Sequence, residues 1–244
     1  MNKSNAIIDI TSLTKKYKSN TALDSLNLKI FSGEIFGFLG HNGAGKTTTV
    51  NILTTLITPT SGKAIVCGFD VVKENLKVRE SIGYLPENVR FYDNLTAYEN
   101  LEYFAKLSGI NNPKQKIKDV LSFLEFTGIE DKKLGEFSKG MRQRIGIAQA
   151  ILHEPKVLFL DEPSSGLDPM GIKKLRDTII KLNREKGMTI FMNTHLLSEV
   201  SKVCTSICVL SRGRLIYKDS LKNTLKKFTT EQSLEEIYFS MEKD

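Results

Sequence analysis

A chain of 244 residues, 40% apolar and 26% charged, has the make-up of a globular protein large enough to bury a sizeable core. No stretch approaches the roughly 18 to 20 apolar residues that span a bilayer, and the polar start Met1-Asn2-Lys3-Ser4-Asn5 lacks a secretory apolar region. The net charge of +7 fits an anionic partner (nucleotide, nucleic acid or an anionic membrane) and fits simple solubility equally well.

In chain order, Ile7 to Leu13 has strand character and Lys15 to Asn20 reads as a polar turn. Leu26-Asn27-Leu28-Lys29-Ile30 alternates with period two, as in a half-solvated antiparallel strand. Ser32-Gly33-Glu34 makes a turn into the continuous apolar strand Ile35-Phe36-Gly37-Phe38-Leu39, which runs into a glycine-rich loop. Thr47 to Leu56 reads as helix, ended by Pro59-Thr60-Ser61-Gly62. Ala64 to Cys67 and Ile82 to Leu85 are short strands.

From Thr96 to Ala150 the pattern turns helical. Thr96 caps one helix, Pro113 opens a second running towards Phe126, and a third spans about Lys139 to Leu152. Strands return at Val157 to Asp161, Thr189 to Asn193, Ile207 to Leu210 and Arg214 to Tyr217. Helices separate the first three, as in βαβ units. The pattern is a parallel α/β core interrupted by a helical insert of about 65 residues. Leu234 to Tyr238 reads as part of an amphipathic helix in the tail.

Three cysteines, Cys67, Cys204 and Cys208, give no disulfide framework and point to a reducing, cytosolic setting. Cys204 and Cys208 could pair on a metal, but their apolar surroundings favour buried structural thiols.

Gly40-His41-Asn42-Gly43-Ala44-Gly45-Lys46-Thr47 meets the phosphate-loop spacing G-x-x-x-x-G-K-[ST] in full, after an apolar strand and before a helix. Glycines let backbone N–H groups converge on phosphate oxygens, and the helix N-terminus adds partial positive charge. The candidate ATP-binding residues are Gly40, Asn42, Gly43, Ala44, Gly45, Lys46, Thr47 and Thr48. Lys46 is expected on the β- and γ-phosphates and Thr47 on Mg²⁺. Val157-Leu158-Phe159-Leu160-Asp161-Glu162 is a buried strand with two acids at its C-terminal tip, the edge where ligands bind a parallel sheet. Asp161 would support Mg²⁺ and Glu162 would polarise the attacking water as general base.

These two motifs define an NTPase; the residues around them narrow the family. Phe137-Ser138-Lys139-Gly140-Met141-Arg142-Gln143-Arg144 resembles the signature motif of ATP-binding cassette (ABC) ATPases. Ser165-Gly166-Leu167-Asp168 resembles that family's D-loop, Asn193-Thr194-His195 its switch histidine, and Tyr17 the aromatic that stacks on adenine. The order and spacing match over roughly residues 5 to 220. The resemblance implies a RecA-like P-loop NTPase fold with an N-terminal antiparallel β subdomain and an inserted α-helical subdomain. It implies one ATPase domain over 1–220, with core lobes 1–87 and 153–220, an insert of about 88–152 and a helical tail over 221–244. It also implies ATP and Mg²⁺ as cofactors. Ser138, Lys139, Gly140 and Met141 would contact the γ-phosphate held by a second subunit in a head-to-tail dimer. His195 would contact the γ-phosphate.

One position departs from the family pattern. Glu87 stands where a glutamine is usual, a residue thought to touch Mg²⁺ and the attacking water. A glutamate could still ligate Mg²⁺ and take part in catalysis. It would also add a negative charge beside the triphosphate and make ATP binding depend steeply on the metal.

The resemblance further implies a nucleotide-binding subunit at the cytoplasmic face of a membrane, driving separate membrane subunits. Contact would run through the helical insert and the loop from Glu87 to Leu95, where Phe91 and Tyr92 either face the partner or pack within the insert. The motif variants look most like exporter-type cassettes serving drugs, antibiotic peptides or sodium, and like the cassette serving maturation of nitrous oxide reductase. The other class kept open is a soluble ABC ATPase acting on ribosomes or DNA, which usually carries two cassettes or long insertions. No nucleic acid is therefore expected as partner.

Overall fold

The structure is a computed structural model that describes residues 6–227. Strands β1 (Ala6–Tyr17) and β2 (Asn20–Phe31) form a long hairpin. The turn between them is only Lys18-Ser19, so the polar stretch from Lys15 to Tyr17, expected as turn, is strand instead. Its lysines are tolerated because one face of an antiparallel hairpin meets water. β3 (Ile35–Leu39) leads through the glycine-rich loop into α1 (Lys46–Leu53). β4 (Ser61–Val66) and β5 (Phe69–Asp70) complete an antiparallel sheet of order β2-β1-β4-β5.

A short helix, α2 (Asn75–Ser81), precedes β6 (Ile82–Leu85). Then come α3 (Ala97–Leu107), α4 (Lys114–Phe123), a 3₁₀ turn at Leu134–Glu136, and α5 (Lys139–Ile151). Thr96 caps α3 with a full capping box: its hydroxyl accepts from Glu99 N at 3.1 Å, and Glu99 Oε2 accepts from Thr96 N at 2.7 Å. β7 (Val157–Asp161), α6 (Pro169–Lys186), β8 (Thr189–Asn193), α7 (Leu197–Val203), β9 (Ser206–Ser211), β10 (Arg214–Ser220) and α8 (Leu221–Lys227) follow. The expected amphipathic stretch Leu234 to Tyr238 lies outside the described residues.

The second sheet has order β10-β9-β3-β8-β7-β6, parallel except for β10. β3, β7 and β8 are buried at every position, and their two faces serve different layers. Ile35, Leu39, Leu158, Leu160, Ile190 and Met192 pack under the helices α3 to α7. Phe36, Phe38, Phe159 and Phe191 pack under α1 and the antiparallel sheet, with Phe191 ringed at 5.1 to 5.6 Å by the other three. The period-two alternation carries Asp161 and Asn193, at the C-terminal ends of β7 and β8, onto the α1 side. Cys204 and Cys208 are both buried; burial pushes the Cys204 thiol up to about 12 and raises that of Cys208 further. No helix among the described residues is long and apolar enough to cross a membrane.

Candidate functional site

The loop after β3 turns back on itself before α1 begins. Its backbone needs glycine at two places. Gly45 has φ +107°, and a Cβ there would sit 2.4 Å from the Ala22 carbonyl oxygen. Gly40 has φ +155°, and its Cβ would meet the Leu210 carbonyl at 2.4 Å. α1 then starts with no side-chain cap and no acid in its first turn. Its N–H groups are left to an external acceptor, the arrangement that binds phosphate. Lys46 is buried, with Nζ donating to Gly40 O at 2.7 Å and His41 O at 3.1 Å, so the loop carbonyls hold the ammonium at the loop's mouth.

A cleft of about 490 Å³ opens on this loop. It brings together Tyr17 from β1, Asn42, Gly43, Gly45, Lys46, Thr47 and Thr48 from the loop and α1, Glu87 after β6, Glu162 after β7, and His195 after β8. Residues separated by up to 178 positions thus converge because β3, β7 and β8 are neighbours that end at one edge. Gly40 and Ala44 lie beneath the surface of the loop rather than on the cleft wall. Tyr17 is half exposed, with Lys15 Nζ 5.0 Å from its ring centroid. Asn20, Ala22 and Asn193 also line the cleft.

Asp161 is buried behind the wall. Asn193 Nδ2 donates to Asp161 Oδ1 at 2.5 Å, across the register pair where β7 and β8 end. Burial raises the Asp161 carboxyl above its usual range; Asn193 and Lys46 oppose the rise, while the negative charges of Glu162 and Glu87 add to it. Tyr84, on β6, lies beside the same carboxylate, and its own hydroxyl is pushed up to about 12 by burial and by the Asp161 charge. Sequence patterning missed Tyr84 and Asn193 as supports of Asp161, because their role depends on which strands lie side by side.

Glu162 occupies left-handed backbone, φ +46°, an unusual conformation for a non-glycine residue. Its N–H donates to Asn193 O at 2.8 Å and its carbonyl accepts from Ser165 N at 3.0 Å, which holds the strained turn. His195 Nδ1 lies 2.8 Å from Glu162 Oε2, outside hydrogen-bond alignment, and that buried oxygen has no hydrogen-bond donor among the described residues.

Ser138, Lys139, Gly140 and Met141 are absent from the cleft wall. They start α5 on the surface, where the Ser138 hydroxyl accepts from Met141 N at 3.3 Å. The segment Ser165-Gly166-Leu167-Asp168 stays beside them rather than beside the loop: a Cβ on Gly166 would meet Lys139 Nζ, and one on Gly140 would meet Leu167 Cδ2 at 3.8 Å. Asp168 caps α6 by accepting from Gly171 N at 2.8 Å. Gln143 Nε2, buried, donates to Pro163 O at 3.0 Å and ties α5 to the turn that carries Glu162. Phe91 packs against the insert's core with its ring 6.3 Å from Phe104, whereas Tyr92 stays half exposed, edge-on to Tyr103 at 5.3 Å.

A model of the ABC transporter family matches residues 23–165. The bacitracin transport ATP-binding protein BcrA of Bacillus licheniformis is 44% identical over 225 residues, covering 91% of this chain and 73% of that protein. A solved structure described as the ATP binding subunit of an ABC transporter superposes with a TM-score of 0.85 at 28% identity, covering 96% of this chain and 99% of the other. The bacterial cassette MJ0796, solved as a dimer, superposes with a TM-score of 0.79 at 27% identity over 88% of this chain and 98% of its own. The same cassette is known in a dimeric post-hydrolysis state bound to ADP and Pi. The chain belongs to the ABC transporter family, as an ATPase cassette.

Proposed function

We propose that this cassette is the nucleotide-binding subunit of an exporter, hydrolysing ATP in a head-to-tail dimer at the cytoplasmic face of a membrane and driving separate membrane subunits. The observation that carries the reading is the split between cleft and signature. One face collects every group needed to grip a triphosphate. The anion-seeking start of α5 is aimed elsewhere and needs a second copy to meet that phosphate. The dimeric MJ0796 cassette supports this pairing, and the name of BcrA supports transport over work on ribosomes or DNA. Tyr92, Tyr103 and Leu107, exposed on the insert side, would meet the membrane subunits. We divide the chain into core lobes 1–87 and 153–220 and an insert of about 88–152. The unbroken run of helices between β6 and β7 supports that division.

In this reading Tyr17 stacks on the adenine, and the loop from Gly40 to Thr48 wraps the phosphates with Lys46 at the β and γ groups. The residues fit Mg²⁺: the Thr47 hydroxyl and the Asp161 and Glu87 carboxylates are hard oxygen donors, and such sites bind Mg²⁺ through few protein ligands, retained waters and substrate phosphates. The crowding of Asp161 by Glu87 and Glu162 is what a divalent cation would relieve. When bound, the cation offsets charge between phosphate oxygens. Glu162, with one buried oxygen lacking a donor among the described residues, takes the proton of the attacking water, and His195 beside it contacts the γ-phosphate. ATP binding closes the dimer, with Ser138 to Met141 of the second copy on the γ-phosphate, and hydrolysis releases it: a shift between two populations of dimer.

Glu162→Gln, followed by sedimentation with ATP and Mg²⁺, tests this. A stable ATP-bound dimer is the expected result; hydrolysis at the wild-type rate in that variant would overturn the general-base role.

A further inference from the structure

Asp93 lies in the loop between Glu87 and α3 and touches the chain on both sides of Ser138. Before Ser138, its backbone oxygen accepts from Gly135 N at 3.0 Å, in the 3₁₀ turn that leads into α5. After Ser138, its carboxylate Oδ1 takes Arg142 Nη2 at 2.6 Å, one turn into the helix. A Cβ on Gly135 would stand 3.2 Å from the Asp93 oxygen, so the two strands of chain are in near contact there.

Asp93 is itself held. Asn100, fully buried, accepts from Tyr92 N at 3.0 Å and donates to the carbonyls of Tyr92, Leu95 and Thr96 at 2.9 to 3.3 Å. Leu134 N donates to Leu95 O at 3.1 Å. The loop is therefore knotted on either side of Asp93 and zipped to the lead-in of α5. A buried amide with all these bonds made does not shift without breaking several of them.

We propose that Asp93 is a positioning residue for hydrolysis: through Gly135 and Arg142 it fixes the direction in which the first turn of α5 presents Ser138 to the ATP of a second copy. The inference rests on the two-copy site proposed above. A purely structural clip is the competing explanation, and the exposure of the pair bears on it. The Asp93 side chain is 60% exposed and that of Arg142 25%, so solvent screens the pair and its share of global stability is small. A large effect of its loss is then an effect of direction.

The test uses the full chain in a Glu162→Gln background with ATP and Mg²⁺, reading the dimer dissociation constant by sedimentation and monomer ATP affinity by titration. Asp93→Ala and Arg142→Ala are each expected to weaken the dimer about threefold to tenfold, as for the loss of one charge-assisted bond. The double variant should be no weaker than either single one, because both remove the same contact. Monomer ATP affinity should stay within about twofold. A dimer of parental strength in Asp93→Ala, or single effects that multiply in the double variant, would overturn the proposal. If Asp93→Ala does not fold, Asp93→Asn keeps the shape and removes the charge, with the same outcomes. If the Glu162→Gln parent does not dimerise with ATP, the two-copy reading fails before Asp93 is tested, and the inference fails with it.

Discussion

The first turns of α1 and α5 are chemically alike and differently placed. Both lack acidic residues, and both carry or adjoin a lysine, Lys46 and Lys139. At α1 no side chain caps the helix, Lys46 is buried, and the surroundings form a cleft that gathers Glu87, Glu162 and His195. At α5 Ser138 caps the helix, Lys139 is exposed, and the turns at Ser165–Asp168 and Asp93 lie beside it. In the reading proposed above, the first helix end is one half of a shared site. In the proposed two-copy site, the other is the end that meets the ATP of a second copy. The comparison shows how one chain can carry two acid-free, lysine-bearing helix starts without joining them.

The sharpest way to break the contrast is at Glu162. Replacing it with glutamine keeps the turn and removes the proposed base, so ATP hydrolysis should fall by about 10² to 10⁴, measured as phosphate release, with ATP still bound. Next is Ser138→Asp, which can still cap α5 but sets a negative charge at the surface proposed to meet phosphate. Hydrolysis should fall about a hundredfold with ATP affinity of the isolated chain within about twofold, because this end contributes nothing to its own cleft. Smaller is Glu87→Gln. Removing a charge from the cleft should strengthen ATP binding without Mg²⁺ several-fold and make affinity less dependent on the metal. Equal metal dependence in both proteins would show that Glu87 does not face the phosphates.

The smallest effect concerns stability. The folded protein holds the Asp161 carboxyl above its usual range, so burial disfavours its charged form. Stability from this group is present in full below the unfolded pKa and declines as pH rises through the folded value. At neutral pH Asp161 is therefore a cost, and Asp161→Asn should raise the melting temperature by a few degrees while weakening metal-dependent ATP binding. A lower melting temperature would contradict the assignment of burial as the dominant cause.

Much of this was legible before the structure. β3, β7 and β8 fall where the continuous apolar runs predict them, because strands buried on both faces leave no polar interruption. The loop from Gly40 to Thr47 and the Thr96 capping box are spelled out by local chemistry. α2 was not legible: seven residues, no side-chain cap, and Val78 alone buried give no helical period to read. The polar end of β1 reads as turn for the related reason that half its residues face water. The sequence also lists Tyr84, Asn193 and Asp93 without their partners, since each acts through strand neighbours or a chain segment distant in sequence.

The central claim is that Lys46 of one chain and Ser138 of another grip one ATP. Mixing Lys46→Ala protein with Ser138→Asp protein, each inactive alone, tests it most directly. A shared site leaves one intact pairing in every mixed dimer, so the mixture should recover about a quarter of wild-type hydrolysis under random pairing. A mixture as inactive as its parts would contradict a site completed by the second copy.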